Sequence, residues 1–198
     1  MSSKGRTAAP RSERRRLHLL AIVIGVMALL TAGWPLLNLA ISDHRSVAAN
    51  SSLTVGVSHH SSGTMTLGPG WTMLSAQSDP QDTYSLVRGP TEMVLDYVPL
   101  IDPDQIPHLW NGLRRIQQFE HPGSTLSAPV PITSGRGYEG QAGVLGDGNL
   151  IGSAAIFPSP SGKFAIEMTV LSTPGSGQQV LATIARSIST LRFPPEMP

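Results

Sequence analysis

Apolar and polar positions divide the chain into three regimes. Residues 19–37 (LLAIVIGVMALLTAGWPLL) form a run of nineteen largely apolar positions, and no residue from 19 to 42 is charged. Residues 43–62 are polar and small, with LTVGV (53–57) as a single short strand-like stretch. From there to Phe193, apolar residues recur at the periods of strands and helices. TYSLV (83–87) and EMVLDYV (92–98) predict two strands joined by the turn RGPT, with Met93, Leu95 and Tyr97 on one face. In DPDQIPHLWNGLRRIQQF the residues Ile106, Leu109, Leu113 and Ile116 recur at helical spacing; Asp102 or Asp104 can cap the start, and Pro107 fits only the first turn. KFAIEMTVL (163–171) alternates, placing Phe164, Ile166, Met168 and Val170 on one face. After TPGSG, Val180, Ile184, Ile188 and Leu191 form the stripe of a closing helix. Strands, helix, strands, helix is the order of an α+β fold, an antiparallel sheet with two packed helices.

The first regime carries a different expectation. As a helix, nineteen residues reach about 28 Å, close to the hydrocarbon thickness of a bilayer. The run exceeds the apolar region of a secretory signal, and the nearest small-residue cleavage site, SVAAN (46–50), lies well beyond it. An uncleaved transmembrane helix over residues 19–41 is favoured over a cleaved signal. Trp34 suits the interface, and Pro35 is tolerated near the end of the span. The net charge of +1 conceals an asymmetry: residues 1–18 hold six basic residues against Glu13, whereas the remainder has eight basic and twelve acidic. Such a basic head stays cytoplasmic, so residues 42–62 become an extracytoplasmic tether and 63–194 an extracytoplasmic domain. The folded part has none of the basic excess of a nucleic-acid binder. Ala21, Gly25, Ala28 and Ala32 line one face of the span, a helix-packing surface for another membrane helix.

The search for chemistry begins at GRGYEGQAGVLGDGNLIG (135–152), which opens with a literal G-x-G-x-x-G. A dinucleotide fingerprint must lie between a strand and a helix. Here two prolines precede it in SAPVPITS, and residues 138–145 alternate like a strand before GDGN supplies a hairpin turn. The glycines are therefore assigned to a hairpin and to close packing, and no cofactor is expected. No G-x-S-x-G, H-E-x-x-H or complete P-loop occurs, and the chain has no cysteine. His59 and His60, adjacent on a strand, would point to opposite faces and could not share a metal. Asp79/Asp82 and Asp102/Asp104 lie in turn stretches where aspartate caps. No catalytic, metal or cofactor residue is assigned, and the chain is read as a non-enzyme. Trp71, after GPG, is placed at the end of a core. Trp110 lies just off the helix stripe with Arg114 and Arg115 nearby, the composition of a binding hot spot, and these three are candidate partner-binding residues. A helix flank shielding the sheet is the other reading of the same residues.

LGPGWTM, the strand pair TYSLVRGPTEMVLDYV, the approach DPDQIPHLW into a helix, the glycine-bearing hairpin and a closing helix ending SISTLRFP resemble the PsbP/Mog1-like domain over about residues 64–194. The similarity is strongest to its actinobacterial envelope branch, which includes LpqN-type lipoproteins and membrane-anchored trehalose monomycolate transport factors. Twelve arginines against two lysines agree with a GC-rich genome. Unlike the lipoproteins, this chain lacks an anchoring cysteine and has the apolar span instead. The resemblance implies a non-catalytic accessory protein with an integral membrane or envelope protein as partner, and a lipid as a further possible one. The alternatives are a module holding an amphiphile between helix and sheet, and a tethered hydrolase, to be tested by replacing His108, His121, Asp96 and Asp102.

Overall fold

The computed structural model describes residues 44–58 and 60–195, apart from the side chains of 177–181 and 183. The basic head, the span at 19–41 with Ala21, Gly25, Ala28 and Ala32, and the Val180 side chain lie outside the described residues. Among the described residues, no helix is long and apolar enough to cross a membrane.

The described chain forms β1 (His44–Ser46), β2 (Ser52–Ser58), β3 (Ser61–Thr66), β4 (Thr72–Leu74), β5 (Thr83–Arg88) and β6 (Thr91–Pro99). A helix α1 (Leu109–Glu120) comes next, then β7 (Thr125–Leu126), β8 (Val130–Thr133), β9 (Glu139–Asp147), β10 (Leu150–Pro158) and β11 (Phe164–Ser172), and finally α2 (Gly177–Ser189). Nine strands make one antiparallel sheet in the order β1-β4-β5-β6-β11-β10-β9-β7, with β8 also paired to β9. Strands β2 and β3 form a separate hairpin. The predicted α+β order is thus the observed one.

The alternation in the sequence decides which face each residue buries. Leu86, Met93, Leu95, Phe157, Ile166, Met168 and their neighbours form the larger core, closed by Val55, Met65, Trp71, Ile184, Leu191 and Phe193. Trp71 is 2% exposed, at the core end expected for it. The opposite face is covered only in part. Trp110 and Leu113 of α1 pack there on Leu126, Leu145, Ala154, Ile156 and Ala165. Strand β11 is consequently buried on both faces, although its sequence alternation suggested one.

Two expectations are corrected. Within the expected tether at 42–62, the described residues 44–58 and 60–62 are not free: β1 pairs with β4, the strand-like LTVGV is indeed part of β2, and Val55 is fully buried. The serines and threonines that make this stretch read as a linker pair across the hairpin instead, Thr54 to Thr64 at 2.9 Å and Ser52 to Thr66 at 3.3 Å. The folded domain therefore begins well before residue 63. The helix stripe is also rephased. Pro103–His108 form a 3-10 turn, with Asp102 accepting a hydrogen bond from the Asp104 N–H at 3.0 Å, and the α-helix starts only at Leu109. A three-residue period does not carry a 3.6-residue phase across the junction. Trp110 and Leu113 face the sheet, while Ile116 is 52% exposed.

The glycine-rich segment is the β9–β10 hairpin, with Asp147 opposite Leu150. Gly148, at φ +55°, takes the first central turn position, where a type II′ hairpin needs glycine.

Candidate functional site

Because α1 covers its sheet face only in part, reaching Ala165 of β11 but not the strand positions beyond it, β6 and β11 form the floor of a groove beside the helix. On β6 the outward set is Glu92, Val94, Asp96 and Val98; on β11 it is Glu167, Thr169 and Leu171. The C-terminal end of α1 makes one wall with Ile116, Gln117, Glu120 and then His121, and Asp82, Asp147 and Leu150 complete the rim. The groove has a volume of about 510 Å³. Six carboxylates line it, half of the twelve acidic residues beyond residue 18, and among the described residues no lysine or arginine does.

The electrostatics come from the β6–β11 register. Glu167 lies directly opposite Asp96, so their side chains leave the sheet about 5 Å apart. Glu167 is only 9% exposed, and among the described residues its carboxylate makes no hydrogen bond or ion pair. Burial, and then the charges of Asp96 and Glu120, push its carboxyl up to about 7. Asp96 is also raised, first by burial and further by Asp82 and Glu120, while a hydrogen bond from the Thr83 hydroxyl opposes the rise. At the rim His121 Nδ1 lies 3.0 Å from Asp147 Oδ2. Among the described residues no group of three or more histidine or acidic side chains is placed to hold a metal. The arrangement can therefore receive a positively charged group, offering it several carboxylates rather than a metal cage.

The predicted partner-binding residues are elsewhere. Trp110 is 3% exposed and donates through Nε1 to the Ser127 carbonyl at 3.0 Å, so it is a core residue rather than a surface contact. Arg114 turns toward the same carbonyl at 3.4 Å, and Arg115 is exposed; neither lines the groove. Of the four residues proposed for an enzymatic test, Asp96 and His121 line the groove, whereas His108 and Asp102 lie at the opposite end of the helical segment and do not. Glu167 was missed because the strand alternation assigned it to solvent. A charged residue at the centre of an otherwise apolar strand was the available signal. Replacing Trp110 by phenylalanine should keep the ring packing but lose the indole N–H, lowering urea-unfolding stability by about 1–2 kcal/mol. Arg115→Ala should stay within about 0.5 kcal/mol. A Trp110→Phe variant as stable as wild type would deny the indole its structural part.

No family model matches the chain, and no curated protein matches its sequence. Solved structures do match its fold. The Ran-binding protein Mog1p of Saccharomyces cerevisiae is similar at 9% identity and a TM-score of 0.51, covering 73% of this chain and 96% of Mog1p. The cyanobacterial PsbP of Synechocystis sp. PCC 6803 is similar at 9% identity and a TM-score of 0.51, covering 75% and 96% respectively. The open-faced sheet that carries the acidic groove has the PsbP/Mog1-like fold.

Proposed function

We propose that this chain is a membrane-anchored, non-enzymatic accessory protein of the bacterial cell envelope, whose extracytoplasmic domain binds an integral membrane or envelope protein. The resemblance at the level of sequence motifs points to the actinobacterial branch and to lipid or glycolipid export as the process served. The observation that carries the binding role is the groove: a sheet face that α1 covers only in part, lined by six carboxylates and flanked by the exposed apolar residues Ile116 and Phe119. Mog1p, on the same fold, is a Ran-binding protein. An acidic lining disfavours nucleic acid, whose phosphates it would repel. The uncharged run behind a basic head supports the anchor.

Topology gives the first test. Protease added to intact spheroplasts should digest residues 43–198 and spare the arginine-rich head; digestion only after permeabilisation would reverse the orientation. Cross-linking of the full chain in intact membranes should then capture a membrane or envelope protein. If alanine at Asp96 and His121 abolishes function while abundance and capture stay unchanged, the hydrolase reading replaces this one.

A second reading has its own observation. A recess of about 400 Å³ between the 3-10 turn and β8–β10 is lined by Ile106, Leu109, Ile132 and Ile156, a surface suited to an amphiphile. Native mass spectrometry of the full chain that finds no adduct under gentle conditions counts against it.

A further inference from the structure

We propose that the acidic groove is the docking site for a basic segment of a protein partner, with an arginine or lysine side chain seated between Glu167 and Asp96. This rests on the partner-binding reading above and specifies the partner's chemistry. Three observations converge on it.

The first is charge. Glu92 and Asp96 from β6, Glu167 from β11, Glu120 from α1, Asp147 from β9 and Asp82 from the loop before β5 all face one groove, and among the described residues His121 is the sole basic group on its rim. A low-dielectric wall lined with one sign of charge concentrates the opposite sign. The second is Glu167 itself. It is buried in the groove floor without a hydrogen-bond or ion-pair partner among the described residues, so the desolvation of its carboxylate is not offset within the domain. A guanidinium or ammonium group in the groove supplies the missing partner. Burial and the neighbouring carboxylates raise the Glu167 carboxyl, and a cation seated beside it would act in the opposite direction, favouring its ionised form.

The third observation selects a protein segment over a free cation. Val94, Val98, Ile116, Leu150 and Leu171 alternate with the carboxylates, a lining matched to the methylene stem of a long basic side chain. Beside the groove, Ile116 and Phe119 lie one helical turn apart at 52% and 87% exposure, an apolar ledge for a neighbouring residue of the same segment. A bare metal ion uses neither feature, and a polyamine, whose methylenes could follow the apolar lining, leaves the ledge unused.

The test uses the full chain in nanodiscs of neutral lipid, which keep the protein's own basic head across the bilayer. The probe is a short fluorescent peptide alternating arginine and leucine, monitored by anisotropy at low salt. Binding is expected, weakening as salt is raised, and the same peptide with glutamine for arginine should not bind. Glu167→Gln and Asp96→Asn should each weaken the arginine peptide by roughly 10-fold or more. Equal binding by wild type and Glu167→Gln would overturn the assignment, as would displacement of the peptide by equimolar calcium or spermidine. Absence of peptide binding in a protein that still captures its envelope partner would defeat this inference alone. Peptide binding without any captured partner would defeat the broader reading instead.

Discussion

Gly152→Ala is expected to remove about 4 kcal/mol of stability, a large part of the roughly 5–15 kcal/mol that holds a domain of this kind together. Gly152 sits in β10 opposite Leu171 of β11. A Cβ placed on it would overlap the Val170 carbonyl oxygen, lie 2.7 Å from the carbonyl carbon and meet the Leu171 Cα at 3.0 Å. These are backbone atoms of a central strand paired on both sides, by β6 and β10, so no rotamer change relieves the clash. The β10–β11 ladder must open locally, and it is the ladder on which the covered part of the second core rests. Gly112 in α1 provides a control of opposite sign. Nothing lies within 4 Å of its Cβ position, and alanine there should stabilise by about 0.5–1 kcal/mol. Urea unfolding of both variants decides the matter. An unchanged midpoint for Gly152→Ala would mean that β10 and β11 do not pair in this register.

The same glycines show how far the sequence could be read. Alternation and a turn signal sufficed to make residues 139–158 a hairpin and to reject a nucleotide cradle. They did not say why so many glycines were needed. In the fold, a Cβ on Gly140 would strike the Phe157 ring and the Ile156 carbonyl, and one on Gly143 would strike the Trp110 ring and the Ser127 hydroxyl. The glycines make room for bulky residues on neighbouring elements, a demand set by register between distant segments. The groove was hidden for the same reason. Glu92, Asp96 and Glu167 each look like ordinary solvent-facing strand residues, and only the β6–β11 pairing, across roughly seventy positions of chain, puts two of them side by side. Local period announced a helix within residues 102–119 but gave neither its start at Leu109 nor its phase, because the prolines at 103 and 107 turn its approach into a 3-10 segment. LTVGV was legible as a short strand, but the polar stretch around it read as a tether because its pairing partner, β3, is equally hydroxyl-rich and signals nothing by itself.

Glu167→Gln should raise stability at pH 8 by up to roughly 3 kcal/mol and change it little at pH 5. The sign depends on where the proton resides. An exposed glutamate loses its proton near 4.5, whereas Glu167 in the folded domain keeps it to about 7. Between these values the native state binds the extra proton, so stability falls as pH rises from about 4.5 to about 7 and stays low above that. Asp96, displaced in the same direction, adds to the trend. The glutamine resembles the protonated acid in shape and charge, and it also relieves Asp96 of a like-charged neighbour opposite it on the sheet. Thermal unfolding should therefore show the variant melting on the order of 5–10 °C above wild type at pH 8, with the two curves converging toward pH 5. A variant less stable than wild type at both pH values would mean that the Glu167 carboxylate has a partner within the domain. The groove would then hold no unpaired charge for a cation to meet. The predicted gain also separates folding from binding. A side chain whose neutral form makes the domain more stable, and whose loss weakens the arginine peptide, is retained at the cost of stability for what the groove receives.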